Sequence, residues 1–391
     1  MNHPDHLYTE RIQALARDGQ QPSHDSVDHV LRAHAPLLGD EGLHDARRRL
    51  TARALGLGPL QPLLDLPGIT DILVNGIRGV WIDDGDGLRR IPCDLGDDTE
   101  LRRLAVRLAG QAGRRLDDAS PYVDGCLPGG IRLHALLPPL VDGSAHISLR
   151  IPRRHAPTLE DLVTWGSIPP HWARILHAVV THRLSYVVTG GTGSGKTTLL
   201  AALLGAVPAD ERIVVVEDVR ELAVDHPHTV RLEARAPNVE GRGGVDLVAL
   251  VRQSLRMRPD RLVVGEVRGG EVRELLTALN TGHEGGAGTL HANRAGDVIA
   301  RFEALGALAG MTPEATRAQL SSAVEVALHL RRTATGRRLD SIAVLTGRGN
   351  DLQVTPALHA DSDLPGPGWP LLAQRIGNPG MPAPTCDTAT P

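Results

Sequence analysis

The sequence predicts an α/β protein: a parallel sheet covered by helices on both faces in the C-terminal half, preceded by a smaller α+β domain and an N-terminal helical region. Three observations carry this expectation. From Ser185 onward, short β-branched runs alternate with Ala/Leu-rich helical stretches, the pattern of a doubly covered parallel sheet. From Gly58 to the middle of the chain the texture differs, with short strands separated by turns. Aromatic residues make up only 2% of the 391 residues, so the core falls to Val, Ile, Leu and Ala.

Taken in order, residues 1–57 read as charged amphipathic helices, with apolar residues at helical spacing in SVDHVLRAHAPLL and ARRRLTARAL. They are too short to bury a core of their own. Residues 58–152 carry the strands ITDILVNG and GVWIDD, the helix LRRLAVRLAGQAG, and the strands IRLHALLPPL and HISLRIP, an α+β domain. Residues 153–180 read as a linker and helix, LEDLVTWG to WARILHAVVTHR. Across 181–348 the strand SYVVT runs into a glycine loop and the helix TTLLAALLGAV. RIVVVED, TVRLEAR, the helix VDLVALVRQSLRM, RLVVGEV, the helix GEVRELLTALNTG, AGTLHA and two more helices follow. VALHLRRTATGRRLDSIAVLTGR reads as a β-hairpin closing this domain. Residues 349–391 are rich in Pro, Gly and small polar residues, and a mostly disordered tail is expected there.

Composition excludes several function classes. A net charge of −4 gives no global basic field for nucleic acid. Cys93, Cys126 and Cys386 are far apart and form no C-x-x-C pair, which argues against a disulfide framework and a zinc site. No window approaches the roughly 18 apolar residues that span a bilayer, and MNHPDHLYTE lacks the plan of a signal peptide. A cytoplasmic location with peripheral membrane contact is expected.

Gly190-x4-Gly195-Lys196-Thr197 satisfies G-x-x-x-x-G-K-[ST], after a β-branched strand and at the start of a helix, the context this motif needs. Through Gly190, Gly191, Thr192, Gly193, Ser194 and Gly195 the backbone N–H groups can close around phosphates. The helix start at Lys196, Thr197 and Thr198 favours negative charge. Lys196 is expected to bridge the β- and γ-phosphates and the Thr197 hydroxyl to ligate Mg²⁺, so ATP and Mg²⁺ are the expected cofactors. Lys196 is also the one lysine among 42 Lys and Arg residues.

Two acidic strand ends supply the rest of a hydrolysis site: Glu217-Asp218 after RIVVV, and Glu266 after RLVVG. In a doubly wound sheet the carboxyl ends of neighbouring strands converge on the nucleotide, where carboxylates hold Mg²⁺ through water and orient the attacking water. The alternative at each is a helix-capping or turn acid. GHEGGAGTLHANR places His283 and His291 around a glycine-rich turn and short strand, either as hydrogen-bond donors to the γ-phosphate or as turn histidines. The arginines are too numerous for composition to single one out.

With a Walker A loop, RIVVVEDVREL, LRMRPDRLVVGEVRGGE and TGHEGGAGTLHANR in this order, the chain resembles the secretion-superfamily ATPases, hexameric motors of type II and type IV secretion and of type IV pilus assembly. The similarity runs from about Gly58 to Leu345. LGPLQPLL, ITDILVNG and DDASPYVDGCLPGG with IRLHALLPPL look most like the tight-adherence (Flp) pilus branch, while ISLRIPRR is also similar to the conjugative type IV secretion branch. The resemblance implies a RecA-like P-loop NTPase domain that closes on nucleotide with the N-terminal α+β domain. It also implies a six-membered ring at the cytoplasmic face that moves inner-membrane platform proteins. Carried over residue by residue, it implies Glu217 as general base and Glu266 beside Mg²⁺ and its water. His283 and His291 match the histidine box, and Arg132 and Arg150 match arginines that reach the phosphates. His134 stands where the pilus branch usually shows Asn, a GG-A run replaces a more polar turn in the histidine box, and the Cys₄ zinc motif of some members is absent.

The expected function is therefore an ATP-hydrolysing motor for a type IV-like pilus or for protein secretion, with a conjugative traffic ATPase as the alternative. A DNA translocase is disfavoured by the net negative charge and the scarcity of aromatic stacking platforms. A non-hydrolysing scaffold is disfavoured because every hydrolytic box is kept.

Overall fold

Alternating burial shapes the first half of the protein. In the computed structural model, which describes residues 56–377 apart from 86, 153–155, 236, 238–241, 334–335 and 363, the chain divides into two units between residues 153 and 154. The helical region expected over 1–57 lies outside the described residues but for its last two positions.

In the first unit, β1 (Asp71–Asn75) buries Ile72 and Val74, and β2 (Val80–Asp83) buries Val80 and Ile82. After β3 (Leu88–Ile91), α1 (Asp98–Gln111) opens on a reciprocal capping box between Asp97 and Glu100 and buries Leu101, Leu104, Ala105, Leu108 and Ala109. β4 (Tyr122–Cys126), β5 (Arg132–Leu136) and β6 (His146–Arg150) complete an antiparallel sheet of order β3-β2-β1-β6-β5-β4. Its apolar face shares one core with α1. The period of two that buries Ile147 and Leu149 leaves Arg150 exposed.

In the second unit, the segment expected as linker and helix holds two helices. α2 (Leu159–Thr164) starts at a Thr158–Asp161 capping box, and α3 (Pro170–Thr181) starts with proline in its first turn. Leu162, Trp172, Leu176 and Val179 pack into the main core, so these helices are part of this unit. Strands β7 (Tyr186–Gly190), β8 (Ile213–Glu217), β9 (Thr229–Glu233), β10 (Arg261–Val267), β11 (Ala287–His291), β12 (Val326–Thr333), β13 (Gly336–Thr346) and β14 (Gln353–His359) form a sheet of order β14-β13-β12-β7-β11-β10-β8-β9. The pairs from β12 through to β9 are parallel, and β13 and β14 continue antiparallel.

Helices α4 (Lys196–Gly205), α5 (Leu247–Ser254), α6 (Glu271–Leu279), α7 (Val298–Leu308), α8 (Pro313–Ala323) and α9 (Trp369–Arg375) cover the sheet. Tyr186, Val188, Ile213, Val215 and Leu328 share a core with α2, α3, α4 and α9, while Val187, Val216, Leu290 and Ala327 share one with α5 to α8. Burial on both faces explains why these strands read as unbroken apolar runs.

The disorder expected from residue 349 is corrected by the structure as far as residue 377. β14 pairs with β13 along Thr346↔Gln353 to Ser341↔His359, and α9 buries Trp369 and Leu372. The prolines mislead because Pro356 sits on the sheet's edge strand, where the ladder tolerates it, and Pro370 sits in the first turn of α9. Residues 378–391 lie outside the described residues. Since Leu372 is 0% exposed, Leu372→Ala is expected to lower unfolding free energy by about 2–5 kcal/mol in a denaturant titration. A disordered tail predicts no change.

Candidate functional site

The glycine loop leaves β7 at the centre of the sheet, between β11 and β12, at the carboxyl ends of the parallel strands. Its first residue is confined to glycine. Gly190 has φ 151°, and a Cβ there would lie 2.5 Å from both the Leu330 carbonyl oxygen and Ser194 Oγ. At the other end Gly195 caps α4 in the left-handed region, φ 98°. Between them Thr192 and Gly193 are exposed, whereas Ser194 is 2% exposed and its Oγ has no hydrogen-bond partner. Thr197 and Thr198 are half-buried in the first turn of α4.

Lys196 folds back on the loop, Nζ donating to the carbonyl oxygens of Gly190 at 3.0 Å and Gly191 at 2.9 Å. Burial holds its ammonium below the usual lysine range, and the carboxylates of Glu266 and then Glu221 oppose that shift. Among the described residues no carboxylate lies within ion-pair distance of Nζ. A half-buried cation facing carbonyls, a buried hydroxyl without a partner and a helix start suit a polyphosphate.

The acids divide in a way the sequence reading did not anticipate. Glu266, next to last in β10, is half-exposed, at a bulge where β10 places one residue more than β11 between Val264 and Val267. Such a bulge re-aims a side chain at the end of a strand. Glu217 is 3% exposed and fully engaged. Its Oε1 accepts from the backbone N–H groups of Glu221 and Leu222, both at 2.8 Å, and its Oε2 from Arg231 Nη2 at 3.1 Å. Gly265 makes room for it, since a Cβ there would come 2.7 Å from Glu217 Cγ.

Glu217 thus fastens the turn that carries Glu221, which after Glu266 is the second carboxylate whose charge Lys196 feels. The sequence reading missed Glu221. The signal was there: an acid at the end of a strand buried on both faces must be fully hydrogen-bonded, which points past Glu217 to Glu221, the last acid of E-D-V-R-E. Arg268 was also missed. It pairs with Asp218 and lies 3.8 Å from Glu266, joining the ends of β8 and β10.

The two histidines are separated. His291 ends β11 in register with Gly190 of the P-loop strand. His283 precedes that strand, and its Nδ1 lies 3.2 Å from the Ala278 carbonyl near the end of α6. His283 and His291 therefore lie at opposite ends of β11, and His291 is the one at the end where the glycine loop begins.

In the first unit, Arg132 and Arg150 face each other as cross-strand partners on β5 and β6. His134 lies 2.8 Å from Asp124 Oδ1.

Residues 53–343 match the family described as "Type II/IV secretion system protein". A protein of Mycobacterium tuberculosis strain H37Rv, provisionally named a conjugal transfer protein, is 54% identical over 332 residues, 83% of this chain and 94% of its own length. The conjugal transfer protein TrbB of Rhizobium radiobacter is 36% identical over 252 residues, 63% of this chain and 75% of its own. Among solved structures, the pilus retraction motor PilT with bound ADP gives a TM-score of 0.53 at 23% identity, over 72% of this chain and 80% of PilT. At that identity the likeness speaks for the fold alone. With a family match across most of its length and a P-loop at the centre of a RecA-like sheet, the chain belongs to the type II/IV secretion system protein family and is an ATPase of that family.

Proposed function

We propose that the chain hydrolyses Mg²⁺-ATP to drive a membrane-embedded pilus or secretion machine. The observation that carries this reading is the meeting, around the single lysine, of a glycine loop with an unpartnered buried hydroxyl and the carboxylates of Glu221 and Glu266. Lys196 takes the β- and γ-phosphate charge that its own carbonyl contacts now satisfy. Thr197 and Glu266 would hold Mg²⁺, which when bound neutralises charge on the phosphate oxygens. Glu221, rather than the expected Glu217, takes the proton of the attacking water, and Glu217 holds Glu221's turn in place. His291 is the histidine proposed to sense the γ-phosphate. Arg132 and Arg150 are kept as its countercharges on the family resemblance alone.

Purified protein is expected to release phosphate from ATP only when Mg²⁺ is present, and Glu266→Ala to slow it about 10²-fold or more. Absence of release under every condition, added lipid and partner extract included, overturns the motor reading.

The finer reading is a ring of six at the cytoplasmic face of the membrane, acting on inner-membrane platform proteins of a tight-adherence pilus. Its support is the set of sequence boxes given above. Among the described residues no helix is long and apolar enough to cross a membrane, which suits peripheral attachment. The names of the M. tuberculosis and R. radiobacter relatives favour a conjugative traffic ATPase as the second reading. Loss of surface pili on gene deletion supports the first, and loss of DNA transfer with pili intact supports the second.

A further inference from the structure

The β12–β13 hairpin extends past the end of the P-loop strand. The last register pair of β12 with β7 is Leu330↔Gly190, so Arg331 to Thr333 continue beyond the point where the glycine loop begins. Two like-charged pairs lie directly across this hairpin, Arg331↔Arg338 and Arg332↔Arg337. Like charges in that relation repel, and each pair calls for an anion. The first pair has its anions: Arg331 lies 2.9 Å from Asp340 and 3.2 Å from Asp361, and Arg338 lies 3.1 Å from Asp361. The second pair alternates to the opposite face of the ribbon. Both of its side chains are exposed, and among the described residues no carboxylate pairs with either.

The stem of Arg337 lies on the glycine loop itself. A Cβ built on Gly195, the residue that caps α4, would lie 3.4 Å from Arg337 Cδ and 3.8 Å from Arg337 Cβ. Sheet order says which part of a nucleotide this flank meets. β10, which carries Glu266 near its end, and β8, which leads to Glu221, lie on one side of β7, and β12 and β13 lie on the other. The phosphate chain that offers its γ end to those carboxylates therefore turns its α end towards the hairpin.

We propose that Arg337, with Arg332 opposite it, is a nucleotide-binding residue that holds the α-phosphate of a bound nucleoside di- or triphosphate. The bound phosphate supplies the anion that this arginine pair does not find among the described residues. The inference rests on the nucleotide reading above and adds a contact made equally in ATP and ADP.

The test measures ADP and ATP binding by calorimetry, and KM and kcat by phosphate release, for the full chain, Arg337→Ala, Arg337→Lys and Arg332→Ala. Loss of one charge-assisted phosphate contact is worth about tenfold. Arg337→Ala is expected to weaken ADP and ATP by the same factor of about ten, with the loss in KM rather than kcat. Arg337→Lys is expected to recover part of it and Arg332→Ala to show a smaller, parallel loss. ADP affinity equal to wild type in both alanine variants overturns the inference, as does a loss confined to ATP, which would move the contact to the γ-phosphate. Folded wild-type protein that binds neither nucleotide overturns the nucleotide reading itself, and this inference with it.

Discussion

Lys196→Arg is expected to lower kcat/KM for ATP at least about a hundredfold, nearly as far as Lys196→Ala, although it keeps the charge. The reason lies in the shape of the loop. The lysine Nζ sits within 3.0 Å of two carbonyl oxygens of its own loop, which a compact ammonium with three donors can do from a flexible stem. A guanidinium is planar and fork-shaped, and the loop cannot open for it at Gly190, where the Leu330 carbonyl and Ser194 Oγ already stand 2.5 Å from the space a Cβ would fill. Every other Lys/Arg position in the chain is arginine, so charge alone does not account for the lysine here. Steady-state phosphate release decides the matter, and wild-type turnover in the arginine variant would refute the argument.

Glu221→Gln is expected to cut kcat by about 10²–10⁴ while leaving ADP affinity near wild type, the loss that follows removal of a general base. Glu217 behaves differently. In Glu217→Gln the amide oxygen can still accept the N–H groups of Glu221 and Leu222, so the turn survives and only the ion pair with Arg231 is lost. Turnover within about tenfold of wild type is expected. Glu217→Ala leaves two N–H groups and a guanidinium without their acceptor, and approaches the Glu221→Gln value. In the variant carrying both Glu217→Ala and Glu221→Gln the losses are expected not to add, because Glu217 acts through Glu221. If Glu217 were itself the base, glutamine and alanine at 217 would be equally inactive, and that result sinks the assignment.

The sequence allowed some of this to be read and hid the rest for identifiable reasons. The P-loop was legible because spacing, strand and helix all agree over thirteen residues, Val188 to Leu200. The strands buried on both faces were legible as apolar runs, but their order was not, since crossover connections leave no trace in local pattern. Glu217 was placed near the phosphates because it ends a strand, and the family resemblance made it the base. Its engagement depends on Arg231, fourteen positions on, and on a glycine at 265 that only the folded sheet brings beneath it. His283 and His291 look like one motif because eight positions separate them, yet a strand is a directed object and its two flanks lie at opposite ends. Pro356 and Gly368 made the tail look unstructured, when they mark an edge strand and the cap of a helix.

The solitary lysine has a consequence for covalent chemistry. Acylating reagents attack neutral amines, and this chain offers them a single ε-amine, whose neutral fraction burial raises. Such a reagent therefore titrates the nucleotide loop and no other lysine side chain. A lysine-specific protease likewise has one bond to cut, Lys196–Thr197, and it can cut there only when the first turn of α4 opens. One ε-amine and one scissile bond make the glycine loop a built-in reporter: acylation or cleavage at Lys196, and protection by nucleotide, follow the occupancy of the site without any engineered label.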